Sequence, residues 1–338
     1  MSITSRRYHL LLLLLALLGL VLVIITTWKY GAGVSSDAVR AMSTAEGLLA
    51  GKGFVDFVGS AYVLWPPLYP LVLAGLRLVT GLDVFHAAWY LNAALFPVNI
   101  WLWGKWFERV LPGRPGYALA ASAAALLSSS MLRIYANVAS DPLFVTLMIL
   151  FFFAAAEHLQ TGSGRSLWWL FVLAGLAMLQ RYLGMVLLGV GAVVVMVRDG
   201  RRGIPRMVAP AFVGALPIAA WLFVHNYLGF GTFFGTRAYG EMWPLENISL
   251  SLTKTLHWFM PYAPGLKALL LRPWSILLPG AALVVLLNLR SRAAWKAWAA
   301  ALGGPYAWPA LIFSVVYYFL LAFTVNTIDH RDLTSDRY

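Results

Sequence analysis

Trp65-Pro66-Pro67-Leu68-Tyr69-Pro70-Leu71-Val72-Leu73-Ala74-Gly75-Leu76-Arg77-Leu78-Val79 is the stretch on which the topology turns. It is apolar enough to pass for a membrane span, yet three prolines crowd its start and Arg77 sits near its end. Past the prolines only residues 71–79 can form an uninterrupted helix, far short of the ~20 residues that cross a ~30 Å hydrocarbon core. The stretch therefore predicts a helix lying at the membrane surface without crossing it. One span more or less inverts the sidedness of everything downstream, so the assignment must agree with the distribution of charge.

Composition makes a membrane the right frame. Of 338 residues, 61% are hydrophobic and 11% charged, and the mean hydropathy is +0.77. Soluble domains carry about 25% charge, and no soluble protein could hide this much apolar surface. The same numbers exclude disorder, collagen and coiled coil. There is no cysteine, hence no disulfide framework, thiolate metal site or cysteine nucleophile. The net charge of +12 lies in short clusters between apolar runs, as the positive-inside rule and anionic head groups demand. That placement argues against nucleic acid as a partner and for the lipid bilayer.

The other apolar runs cover residues 10–28, 84–107, 116–132, 142–159, 166–180, 183–197, 208–224, 269–287 and 305–325. The first follows Arg6-Arg7, is longer than a signal-peptide core of about 7–15 residues, and ends in the interface anchor Thr26-Thr27-Trp28-Lys29-Tyr30. It is an uncleaved first span. Residues 166–197 are interrupted by Gln180-Arg181-Tyr182-Leu183-Gly184. As one straight helix they would run about 48 Å, too long for a bilayer, so they predict a hairpin. With a cytoplasmic N-terminus, the hairpin and a non-crossing residue 65–79 helix, the basic clusters near residues 6–7, 105–114, 165, 198–206 and 290–296 share the inside. Counting 65–79 as a span would push Arg198-Asp199-Gly200-Arg201-Arg202 outside, against the rule. The prediction is an all-α polytopic membrane protein, one domain over residues 1–338, with about nine crossings and the C-terminus outside.

Two long outer loops result, residues 29–82 and 226–267, and a short one, 133–141. In the first, Ser36-Asp37 precedes an amphipathic stretch over residues 38–50 that stops at Gly51-Lys52-Gly53, and the residue 65–79 helix follows as a second interfacial element. Asp37 and Asp141 fall on this outer face. Each has a plain structural reading as a helix cap: Ser-Asp before a helical run for Asp37, and Ser140-Asp141-Pro142, with proline at the first helical position, for Asp141. Each also has a chemical reading, since a carboxylate at the membrane boundary can take the proton of an attacking hydroxyl. Arg181, in the hairpin turn, either snorkels to the interface or faces a phosphate or carboxylate, which a guanidinium binds bidentately.

His225-Asn226 closes the seventh crossing, and Arg237, Glu241, His257 and Lys267 follow. No His-x-x-x-His or paired-carboxylate spacing recurs, so no metal ligand is assigned, although a divalent metal stays open as a cofactor. The outer-loop aromatics, Tyr62, Trp65 and Tyr69 among them, form an aromatic belt or stack on sugar rings. No Walker sequence, dinucleotide fingerprint or nucleophile elbow occurs, which removes support for ATP-driven transport and α/β-hydrolase chemistry.

Taken in order, these features resemble the GT-C class of membrane glycosyltransferases, in particular the bacterial branch of protein O-mannosyltransferases and lipid A aminoarabinose transferases. An acid soon after span one, a leucine-glycine amphipathic helix and a proline pair before a non-spanning helix match Asp37, Leu48-Leu49-Ala50-Gly51-Lys52-Gly53 and Trp65-Pro66-Pro67-Leu68-Tyr69-Pro70. A second acid opening span four matches Ala139-Ser140-Asp141-Pro142-Leu143-Phe144, a basic residue between spans five and six matches Arg181, and an Asn-aromatic pair matches His225-Asn226-Tyr227. The resemblance covers essentially the whole chain. Departures are Ala38 directly after Asp37, His225 where relatives often carry Arg, and an end at Asp336-Arg337-Tyr338 where relatives run on, which suggests a shortened form.

The resemblance implies a bacterial inner-membrane enzyme that moves a hexosyl or pentosyl group from a polyprenyl-phosphate donor to a hydroxyl of a glycan, lipid or protein, with inversion. It implies Asp37 as base, Asp141 as its catalytic partner, Arg181 and Arg237 on the donor phosphate, and Tyr69, Tyr182, His225 and Asn226 as substrate-binding residues. The competing readings are a lipid-linked-sugar flippase, with ionisable groups at the bilayer midplane in repeat-related broken helices, and a non-catalytic membrane subunit, in which the two acids cap helices far apart.

Overall fold

The computed structural model describes residues 5–235, 296 and 299–328, with side chains to residue 320. The elements are helices α1 (Ser5–Thr27), α2 (Ser36–Leu49), α3 (Leu68–Thr80), α4 (Val84–Val110), α5 (Pro115–Leu127), α6 (Ser129–Ala136), α7 (Asp141–Thr161), α8 (Gly164–Gln180), α9 (Met185–Asp199), α10 (Gly203–Ala220) and, after the described part of the loop, α11 (Trp308–Ile328). A π-helical segment, Trp221–Leu228, continues α10. The sheet among the described residues is a single two-residue pair, β1 (Gly33–Val34) with β2 (Asn137–Val138). The predicted residue 269–287 run and most of the second long loop lie outside the described residues.

Helices α1 and α7 are each long and apolar enough to cross a membrane, as is the helical stretch Tyr182–Leu228, which Gly200 divides with a φ of 61° between α9 and α10. The outward face of α1 carries Leu10, Leu14, Leu17, Val21 and Ile25, and that of α10 carries Val208, Phe212 and Leu216, all exposed. Such contiguous apolar surface is stable only against lipid.

The deciding stretch is a 13-residue helix, α3, which meets α4 at 103°. Pro66 and Pro67 precede it, and Gly81, at φ 73°, ends it. Its inner face buries Tyr69, Leu73 and Ala74 while Leu71, Leu78 and Val79 are exposed, so it is apolar on both sides. The Arg77–Glu46 ion pair (2.5 Å) ties it to α2. Helix α2 buries Ala38, Ala41 and Ala45, a small-residue face that lets it lie close on α3. The hairpin also forms. Added Cβ atoms would meet Ala177 from Gly184, and Leu170 and Phe171 from Gly191. Moving forward along α9 thus moves backward along α8, so the two helices are antiparallel.

Two local expectations are corrected. The 116–132 run is not one helix: it breaks at Ser128, whose Oγ caps α6 by accepting from Met131 N at 3.3 Å. Nor is either acid the cap that its local sequence suggested. Ser35 caps α2, its Oγ accepting from Ala38 N at 3.2 Å. At α7 the cap position is Ser140, which makes no side-chain cap bond, and Asp141 is the first helical residue.

Candidate active site

Strand pairing brings the first outer loop and the short 133–141 loop together. The pair is parallel, with Gly33 opposite Asn137 and Val34 opposite Val138. Asp37 lies three residues beyond Val34 and Asp141 three residues beyond Val138. The register therefore delivers the two acids in matching positions, each in the first turn of a helix that leaves the pairing, although a hundred residues separate them. Gly33 eases this approach, because a Cβ there would sit 1.8 Å from Asn137 Oδ1 and would make that side chain turn aside. Both acids are half-buried.

Arg181 joins them. It follows the last residue of α8 with extended backbone (φ −148°, ψ 133°) and forms an ion pair with the Asp141 carboxylate. Its neighbour Gln180, buried, donates its amide to the Ser140 carbonyl at 2.7 Å. The dipeptide 180–181 thus grips the dipeptide 140–141 at two points, one neutral and one charged.

Two buried asparagines of α4 fix the same segment from beneath. Asn92 donates to the Asn137 carbonyl at 2.7 Å and to the Ala139 carbonyl at 3.3 Å. Asn99, with no solvent exposure, donates to Tyr135 Oη at 2.6 Å and to the Pro142 carbonyl at 3.1 Å, and it accepts from Thr146 Oγ1 at 2.9 Å. Sequence reasoning passed over both residues. The signal was present: two amides seven residues apart on one face of an apolar helix, where each must find a partner.

Tyr62 and Tyr69 of the first outer loop are both buried. Burial pushes the Tyr62 phenol above its ordinary range, and the charge of Asp37 adds to the effect. Burial does the same for Tyr69, with contact to Asn92 opposing it and the charge of Asp141 adding. Both phenols stay protonated at neutral pH.

The other predicted substrate residues form a clasp. Tyr182 Oη donates to the Val63 carbonyl (3.1 Å) and receives Trp221 Nε1 (3.2 Å) and Asn226 Nδ2 (3.3 Å). Asn226 is fully buried and also donates to the carbonyl of Phe233 (2.6 Å), while its Oδ1 meets His225 Nδ1 at 2.9 Å. His225 stacks on Trp221 with ring centroids 3.8 Å apart. These residues pin the first loop to the π-helical segment. The π turn is what lets Trp221, His225 and Asn226 all face that loop, and such turns recur at functional sites. Arg237 falls outside the described residues. Among the described residues no group of three or more His, Asp or Glu side chains gathers at one point to hold a metal ion.

No protein-family model and no curated protein sequence matches this chain. Solved structures do. ArnT from Cupriavidus metallidurans bound to undecaprenyl phosphate aligns at a TM-score of 0.56 and 18% identity, covering 96% of this chain and 61% of that one. The apo state of the same protein aligns at 0.54, with the same identity and coverage. The S. cerevisiae protein O-mannosyltransferase Pmt1-Pmt2 complex bound to the sugar donor aligns at 0.52 and 18% identity, covering 68% of this chain and 34% of that one. The chain thus spans about three fifths of ArnT and a third of the yeast protein. These neighbours are GT-C glycosyltransferases, and the chain has their polytopic, all-helical fold.

Proposed function

We propose that this chain, built on the GT-C fold, is a membrane glycosyltransferase that moves a sugar from a polyprenyl-phosphate donor to an acceptor hydroxyl at the outer face of the membrane. The observation that supports the proposal is the parallel register of two short strands, which sets the segments leading to Asp37 and Asp141 side by side, together with the Asp141–Arg181 ion pair. Two acids that served separate helices would need no such pairing. The scaffold reading predicts the two acids far apart, which this register does not favour.

In this mechanism the acceptor hydroxyl attacks the anomeric carbon from the face opposite the lipid phosphate. The new oxygen–carbon bond forms as the carbon–oxygen bond to phosphate breaks. The electron pair leaves with the phosphate, the hydroxyl proton passes to Asp37, and the anomeric configuration inverts. Arg181 stabilises the charge that develops on the leaving phosphate. A guanidinium has five N–H donors, so its pairing with Asp141 is compatible with a phosphate on another edge. Asp141, held by Arg181, Gln180 and the α4 asparagines, orients Arg181 and the acceptor. Tyr69, Tyr182, His225 and Asn226 shape the wall of the site, with Tyr182 and Asn226 acting through the loop they hold. The positive-inside charge assigns this face to the outside and the N-terminus to the cytoplasm, with about nine crossings.

The test is release of sugar from a panel of undecaprenyl-phosphate hexoses and pentoses in proteoliposomes, with water as surrogate acceptor. Asp37→Asn is expected to lower turnover roughly 100-fold or more while the protein stays folded, as for loss of a general base. Arg181→Gln is expected to weaken donor binding as well. Wild-type turnover by Asp37→Asn would remove the base assignment. Movement of intact donor across the bilayer without cleavage would favour the flippase.

A further inference from the structure

We infer that the groove between α1 and α5 binds one anionic phospholipid, its phosphate between Arg7 and Arg114 and an acyl chain along the groove. The site lies at the opposite end of α1 from the acids and does not depend on the proposed reaction.

The groove encloses about 390 Å³, and its wall is wholly apolar. Leu11, Leu14, Leu15 and Leu18 of α1 form one side, and Leu119, Ala120 and Ala123 of α5 the other. Large residues opposite small ones leave a channel where two helices would otherwise close up. The helices run parallel. Near their N-termini Ala118 packs with Tyr8 and Leu12, and further along Leu126 lies against Gly19, where a Cβ would meet its Cδ1 at 3.2 Å. Seven residues along α1 thus correspond to eight along α5, in the same direction.

This parallel run fixes the end of the groove. Residues 7, 11, 14 and 18 recur at the four-three-four spacing of one helical stripe, so Arg7 continues the leucine wall by one turn. Stepping back equally from Ala118 reaches Arg114, the residue before α5. Arg7 and Arg114 are therefore level with each other, both exposed, and neither has an ion pair among the described residues. Gly116 opens the mouth between them: a Cβ there would meet nothing within 4 Å. The nearby acid is engaged elsewhere, since Glu108 pairs with Lys105 at 2.9 Å and lies 3.5 Å from His9. His9 is on another side of α1 from the leucine stripe. Two guanidinium groups above an apolar channel match a phosphate joined to an acyl chain. A zwitterionic lipid would leave their charge uncompensated.

The full chain, purified in mild detergent, is titrated with phosphatidylglycerol or phosphatidylcholine and read by native mass spectrometry. One phosphatidylglycerol per chain is expected to persist at concentrations where phosphatidylcholine does not. The double variant Arg7→Gln, Arg114→Gln is expected to bind phosphatidylglycerol roughly thirty-fold more weakly, as two lost arginine–anion contacts predict. Ala123→Phe should weaken it with both arginines intact, and glycerol phosphate should fail to compete. Equal binding of the two lipids, unchanged binding by the arginine variant, or full competition by glycerol phosphate would each overturn the site. Both arginines are exposed, so that variant carries the test even if Ala123→Phe does not fold.

Discussion

Replacing Asn99 by leucine, similar in size but without polar atoms, isolates the polar function of the amide beneath Asp141. Asn99 makes three hydrogen bonds, to Tyr135, Pro142 and Thr146, with no solvent exposure. Thr146 Oγ1 can still give its proton to the Pro142 carbonyl, 3.0 Å away, so that carbonyl keeps a partner. Tyr135 Oη loses its donor while buried. Each net hydrogen bond contributes about 1 kcal/mol, and an orphaned buried polar group costs about 1–3 kcal/mol. Two effective losses and one orphan, offset in part by the apolar leucine, give a destabilisation of about 2–4 kcal/mol. At roughly 1–2 °C per kcal/mol for a chain of this size, Asn99→Leu should melt about 2–8 °C below the wild type. The assay is thermal unfolding in one detergent at one scan rate, because membrane proteins seldom unfold reversibly. A loosened start of α7 also frees the backbone beside Asp141, so turnover should fall more than donor affinity. A variant that melts within 1 °C of the wild type and turns over normally would refute the claim that α4 positions the acid.

Gly214→Ala should destabilise by about 1–3 kcal/mol through overpacking, because its Cβ would lie 2.2 Å from the Phe171 carbonyl oxygen on α8; a melting curve checks it. Asp56→Ala should expose the first outer loop to protease, since the buried carboxylate receives Val58 N (3.1 Å), Ser60 N (2.9 Å) and Arg40 (2.9 Å); cleavage near residues 53–62, seen by mass spectrometry, is the readout. Asp83 is held below the usual carboxyl range, first by the backbone N–H of His86 and then by its ring. A carboxyl depressed in the folded state contributes stability above its unfolded pKa of about 3.9, and that contribution disappears as pH falls through the folded value. Asp83→Ala should therefore flatten the loss of melting temperature below about pH 4, by a small amount because the pair is exposed.

Much of the fold was legible because it follows from local rules. Three prolines and too few residues beyond them predicted that α3 would not cross, and it is a short helix bent away from α4. The interruption at residues 180–184 predicted the hairpin, and α8 and α9 are antiparallel. The capping of the two acids was misread for an equally local reason. Ser35 stands two positions before Asp37 and Ser140 one before Asp141, and sequence alone does not say at which of several neighbouring polar residues a helix begins. Asn92 and Asn99 were hidden by the leucines, tryptophans and phenylalanines around them.

By itself the sequence determined that the chain is a polytopic helical membrane protein, which elements are too short or too long to span, and which polar residues stand at the ends of apolar runs. Those properties depend on hydrophobic length and on the cost of burying charge, and each is settled within a window of some twenty residues. Only the tertiary structure decided that the segments carrying Asp37 and Asp141 run side by side and that Asp141 pairs with Arg181. That arrangement depends on a parallel pairing of two dipeptides a hundred residues apart, eased by the missing Cβ of Gly33, and on buried amides whose partners are backbone carbonyls of a distant segment. None of these leaves a periodic trace in the chain, because backbone groups are the same at every position and their pairing is set by packing alone.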